Sequence, residues 1–133
     1  IIAAKKIRAD IALIDQDIEI TLQKISRQLT WKEKLLFIKE LLKSLIKKEG
    51  KIKIDLTKVP KKSLIKKLTN KVKKDFPSLY NILIKERNEI MAKNLYQLMK
   101  NNKDKKIVAI VGAGHQDYII SILKGEIKSN LQK

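Results

Sequence analysis

Ile107-Val108-Ala109-Ile110-Val111-Gly112-Ala113-Gly114-His115 is the stretch on which the fold turns. Five apolar residues in a row, closed by a glycine-containing turn, predict a strand buried on both faces, as in a parallel sheet. One other run has the same character: Ala9-Asp10-Ile11-Ala12-Leu13-Ile14, ending at Asp15. Everything between them predicts helix. Asp17 is placed to cap a helix over Ile18 to Gln28, where Ile18, Leu22, Ile25 and Leu29 keep helical spacing. Thr30-Trp31-Lys32-Glu33 is a capping box for a second helix running to about Lys48 and stopped by Gly50. Lys51 to Leu56 alternates like an edge strand but is taken as a linker toward Pro60. Leu64, Ile65, Leu68 and Val72 mark a Lys-rich amphipathic helix ending before Pro77.

Ser78 is expected to cap a long helix over about 79–101, followed by the polar turn Asn101 to Asp104. A last helix starts near Gln116 and is expected to end at Gly125. The expected fold is therefore α/β and mostly helical: a small parallel sheet, two of its strands in this sequence, with a multi-helix insertion over about 18–102. Two strands do not stand alone as a sheet. The domain is expected to be incomplete, its sheet finished by a missing N-terminal part or by a partner chain. That the first residue is Ile1 and not Met fits this expectation. Residues 127–133 are expected to fray.

Composition narrows the function classes. The chain has 133 residues, one domain's worth, with 44% hydrophobic and 34% charged residues, so a wholly disordered basic tail is excluded. Zero Cys excludes a disulfide scaffold, a zinc ribbon and a cysteine nucleophile. No apolar run reaches the roughly 18 residues of a membrane span, and no secretory signal opens the chain. A formal charge of +17 invites a nucleic-acid reading. Against it, only Arg8, Arg27 and Arg87 are arginines, and few aromatics interleave with the lysines. Base readout favours Arg and single-strand binding favours stacking rings, so a solvated basic surface is the expectation and a nucleic-acid partner is not.

Three groups of residues carry chemistry. Gly112, Gly114 and His115 follow a strand, where open parallel sheets bind ligands. His115, the single histidine, could ligate a metal, act as acid or base, or donate a hydrogen bond; it could also be a satisfied turn residue. A dinucleotide reading of Val111-Gly112-Ala113-Gly114 fails, because the third glycine position holds Asp117 and the chain behind it is too short. Glu86 and Arg87 lie in the long helix, with Arg87 expected in the middle of its apolar stripe. They suit either an ion-pair network or an acid with an anion clamp. Asp15 and Asp17 close the first run, either as caps or as carboxylates that orient a metal or water.

Taken together, these residues resemble the TraB family, the pheromone-shutdown or PrgY/TraB proteins of archaea and bacteria. Ala9 to Ile18 resembles its "ADVALIDRDI" block, Glu86 to Ala92 its "ERNxxMA" block, and Ile107 to His115 its "VAVVGAGH" block. The resemblance spans about residues 1–120 and implies the C-terminal portion of a TraB-like domain over 1–126. It also implies kinship with Tiki-type metalloproteases and erythromycin-esterase-like proteins, which carry two G-x-x-H motifs, a Glu and an Arg. Gly112 to His115 matches the second G-x-x-H, whereas the first is absent from this sequence, and the arginine of the "DRD" triplet is Gln16 here. By that resemblance, the whole protein is a metal-dependent, peptidase-like hydrolase acting on or sequestering a peptide. His115 and Glu86 would hold a divalent metal, and Glu86, Arg87 and His115 would be catalytic. Gly112, Gly114, Asp15 and Asp17 would line the substrate site. Catalytic metal sites need about three protein ligands, so this stretch alone is expected to be inactive and soluble. Membrane association would come only through segments absent here. The rival expectation is a non-enzymatic basic module that grips an acidic protein, anionic lipid or nucleic acid.

Overall fold

A computed structural model describes residues 2–46 and 61–131. The capping chemistry read in the sequence sets the first helices. After a short α1 (Ile2–Lys6), Arg8 closes the helix in the left-handed region at φ 53°, with Ala9 N donating to Ala4 O at 3.0 Å. This is the C-terminal closure that glycine usually makes. Asp17 caps α2 (Ile18–Gln28), its carboxylate accepting from Glu19 N at 2.9 Å. Thr30 and Glu33 form the capping box of α3 (Trp31–Ile46). Glu33 accepts from Thr30 N at 3.0 Å and from Thr30 Oγ1 at 2.8 Å, and Glu33 N donates to Thr30 Oγ1 at 3.3 Å. Its other carboxylate oxygen accepts from Ser78 N at 2.7 Å, so one buried glutamate clamps the starts of two helices.

The Lys-rich segment forms α4 (Lys62–Asp75). Gly50 and the 51–56 linker lie outside the described residues. The expected long helix exists but is not uniform. It begins at Pro77, not beyond a Ser78 cap, as α5 (Pro77–Tyr80). It widens into a π-helical turn (Asn81–Glu86) and continues as α6 (Arg87–Asn101). The extra residue per turn re-aims the residues that follow. Asn88, Met91, Ala92 and Leu95 are the buried stripe of α6, at helical spacing. Arg87 lies beside that stripe and not in its middle, which corrects the expectation. The last helix, α7 (Gln116–Leu131), runs through Gly125 instead of ending there.

The small parallel sheet is not present: among the described residues there is no strand. Both apolar runs, 9–14 and 107–111, take no regular secondary structure, and no backbone ladder pairs them. Their β-like composition signals a fit to a pleated, covered surface, and that cover is not supplied. Leu13 is 91% exposed and Ile110 92%. Side chains tie the runs to the molecule instead. Lys105 Nζ meets Asp10 at 3.1 Å, and Asn94 Nδ2 donates to Ile14 O at 3.0 Å. Only the ends of the runs dock: Ile14 and Val111 pack on the core formed by Met91, Ala92 and Leu95 of α6 with Ile119 of α7. That docking brings Asp15 and the glycine turn to one side of α6.

Candidate functional site

An open cavity of about 510 Å³ lies where the two docked ends meet α6, with Asp15, Arg87, Met91, Val111, Gly112 and His115 among its walls. Each polar group is held by a local reason. His115 N donates to Gly112 O at 2.9 Å, which closes the glycine turn. His115 O accepts from Ile119 N at 3.0 Å, which starts α7. The histidine is thus fixed by its backbone on both sides and is 8% exposed. A Cβ at Gly112 would meet the imidazole Cδ2 at 3.3 Å, so the missing side chain leaves room for the ring.

Arg87 is the first residue of α6. Its guanidinium forks onto Asp15, Nε to Oδ1 at 3.1 Å and Nη2 to Oδ2 at 2.5 Å, while Nη1 donates to Leu83 O at 3.3 Å. Gln16 N adds a bond to Asp15 Oδ1 at 2.7 Å. The Arg87 bonds hold the Asp15 carboxyl below its usual range against the opposing effect of burial, with Gln16 N adding to the lowering. The same pairing pushes Arg87 up. Burial, then the nearby Arg87 charge, lowers the His115 pKa from its ordinary value, and Asp15 partly offsets this. The net effect favours the neutral imidazole.

The structure brings together His115, Arg87, Asp15 and Gly112. It places the other expected site residues elsewhere or in other roles. Asp17 reaches the cavity wall but spends its carboxylate on capping α2. Gly114 faces Ile65, 3.9 Å from where its Cβ would stand. Glu86 turns toward α2, its carboxylate taken by Lys24 at 2.6 Å and Asn81 Nδ2 at 2.8 Å. It is not among the residues that line the cavity. Among the described residues no group of three His, Cys, Asp or Glu side chains is placed to hold a metal ion. One imidazole, with the Asp15 carboxylate already forked onto a guanidinium, does not make a metal centre among the described residues.

The sequence reading left one residue of the Glu86-Arg87-Asn88 group without a role. Asn88 is fully buried, and its Oδ1 lies 2.7 Å from His115 Nδ1. Its Nδ2 has no hydrogen-bond partner among the described residues, an omission of about 1–3 kcal/mol. The signal was available: Asn88 shares the i, i+3, i+4, i+7 stripe with Met91, Ala92 and Leu95. A polar residue in that stripe asks for a buried partner.

The profile of the TraB/PrgY/gumN family matches residues 1–124. The uncharacterized protein MJ1365 of Methanocaldococcus jannaschii is 38% identical over 124 residues, which is 91% of this chain and 30% of that protein. The chain therefore spans about a third of that relative's length. No solved structure matches. No described helix is long and apolar enough to cross a membrane.

Proposed function

This chain belongs to the TraB/PrgY/gumN family, and from that premise we propose that it supplies a hydrolytic site directed at a peptide, with His115 as its base. The observation that carries the reading is the convergence of an imidazole and a guanidinium on one open cavity. Peptide hydrolysis needs a group that takes a proton from water and a positive charge near the oxygen that becomes an oxyanion. His115 can do the first. Arg87 can do the second, since its fork onto Asp15 leaves guanidinium N–H groups uncommitted. Asp15 holds that guanidinium in register. No step is routed through a metal, because the residues present do not make a metal centre.

Incubating the chain with a library of unstructured peptides and counting new amino termini tests the reading. The inactivity expected of this stretch followed from its shortage of metal ligands, and a site read without a metal lifts it: cleavage is expected for wild type, lost in His115→Ala and Arg87→Met. Its acid limb should lie below pH 6.5, the ordinary histidine value, because the folded imidazole has a lowered pKa. No cleavage by wild type, or cleavage that survives His115→Ala, overturns it. A second reading has its own observation: Lys66, Lys67, Lys71, Lys73 and Lys74 are all exposed on α4. They suit a non-enzymatic grip on an acidic partner. Binding that falls steeply with salt, identically in wild type and His115→Ala, would favour it.

A further inference from the structure

Three consecutive residues leave the π-helical turn toward three different partners. Glu86 goes to Lys24 of α2, Arg87 to Asp15, and Asn88 to His115. The third contact is the one packing does not explain. Asn88 sits at 0% exposure in a stripe otherwise filled by Met91, Ala92 and Leu95, where a leucine of the same branched shape would leave no polar atom stranded. The fold instead carries an amide whose nitrogen has no hydrogen-bond partner among the described residues. What the amide gains is the 2.7 Å contact of Oδ1 with His115 Nδ1. π-turns recur at functional sites because the inserted residue redirects the side chains behind it. Here that redirection points Asn88 at the imidazole.

We propose that Asn88 is a positioning residue that fixes the proton of neutral His115 on Nδ1 and turns the Nε2 lone pair to the cavity. The chemistry is one-sided. A carbonyl oxygen only accepts, so Nδ1 must carry the hydrogen, and the neutral ring has one proton to place. Nε2 is then an acceptor. Free neutral histidine prefers the opposite arrangement, with the proton on Nε2, so the contact reverses the default. The geometry agrees at the far side of the ring. Nε2 lies 4.0 Å from where a Gly112 Cβ would stand, over a residue that itself lines the cavity. An imidazole held the other way would present an N–H to the cavity and could not take a proton from water there. The role rests on the reading of His115 as the working base, and Asn88 touches neither water nor substrate in it.

The chain has a single histidine, so its two ring nitrogens can be read without assignment. Long-range proton–nitrogen NMR on the full chain with labelled histidine, above the ring's titration, is the test. Wild type should show a protonated Nδ1 and a bare Nε2. Asn88→Leu, which keeps the branched shape and removes the acceptor, should shift the ring toward the Nε2–H form. Asn88→Asp, which restores an acceptor, should return it to Nδ1–H. Wild type with its proton on Nε2 overturns the proposal even if the Leu variant does not fold. So does a folded Asn88→Leu chain with the wild-type pattern. Because no substrate enters the measurement, a fixed tautomer without peptide cleavage would remove the hydrolytic reading alone. Cleavage with the proton on Nε2 would remove the positioning role alone.

Discussion

The two glycines of the Gly112-Ala113-Gly114-His115 turn are alike in sequence and unlike in space. A Cβ at Gly112 would meet His115 Cδ2 at 3.3 Å, closer than side chains ordinarily approach, and the ring is held on its other side by Asn88. A Cβ at Gly114 would meet only Ile65, at an ordinary 3.9 Å. Gly112→Ala should therefore displace the imidazole from Asn88, while Gly114→Ala should leave it in place. The imidazole nitrogen shifts report this directly. Gly112→Ala should move them toward the Asn88→Leu pattern, and Gly114→Ala should match wild type. Equal effects of the two would mean that the turn's backbone, and not the ring's clearance, is what glycine supplies there. Arg87 shows the same dependence on space. Its role as a partner of Asp15 could not be read from the helical wheel, because the π-turn that sets its direction has no sequence marker.

At the scale of elements, local chemistry was legible and pairing was not. The Asp17 cap, the Thr30–Glu33 capping box and the helix end at Asn101 are decided within a few residues, and they stand where the sequence put them. The sheet needed partners from outside each run, and composition alone does not provide them. The docking of Ile14 and Val111 on α6 was still enough to bring Asp15, Arg87, Gly112 and His115 to one cavity. Glu33 shows what a local motif adds when tertiary structure uses it as well. Burial pushes its pKa up, but bonds from Thr30 and Ser78 outweigh this and bring it from 4.5 to about 2. A carboxyl lowered on folding stabilises the fold above its unfolded pKa, and that contribution is lost as pH falls through the folded one. Glu33→Gln should cost about 1–3 kcal/mol near neutral pH, because donors from Thr30 and Ser78 lose an acceptor. The gap to wild type should narrow between pH 4.5 and about 2. Thermal melts of both chains across that range measure it, and a gap independent of pH would mean the clamp is steric.

The molecule as a whole balances a small core against a large charge. Among the described residues the buried apolar side chains are Ile82, Met91, Ala92, Leu95 and Ile119. Set against them is a formal +17, from 31 basic and 14 acidic residues. Opposite charges meet mostly at the surface, as in Lys62–Asp117 at 3.3 Å and Lys71–Asp75 at 2.7 Å. Exposed pairs of this kind contribute about 0–1 kcal/mol each. The unpaired lysines repel one another over the whole surface, and that repulsion opposes the compact state. Salt weakens both effects, since the screening length falls from about 30 Å at 0.01 M to about 8 Å at 0.15 M. Short-range pairs lose less than long-range repulsion does, so repulsion decides the sign. Raising sodium chloride across that range at neutral pH should raise the melting temperature of this chain. A melting temperature that falls with salt would show that the surface ion pairs outweigh the net charge.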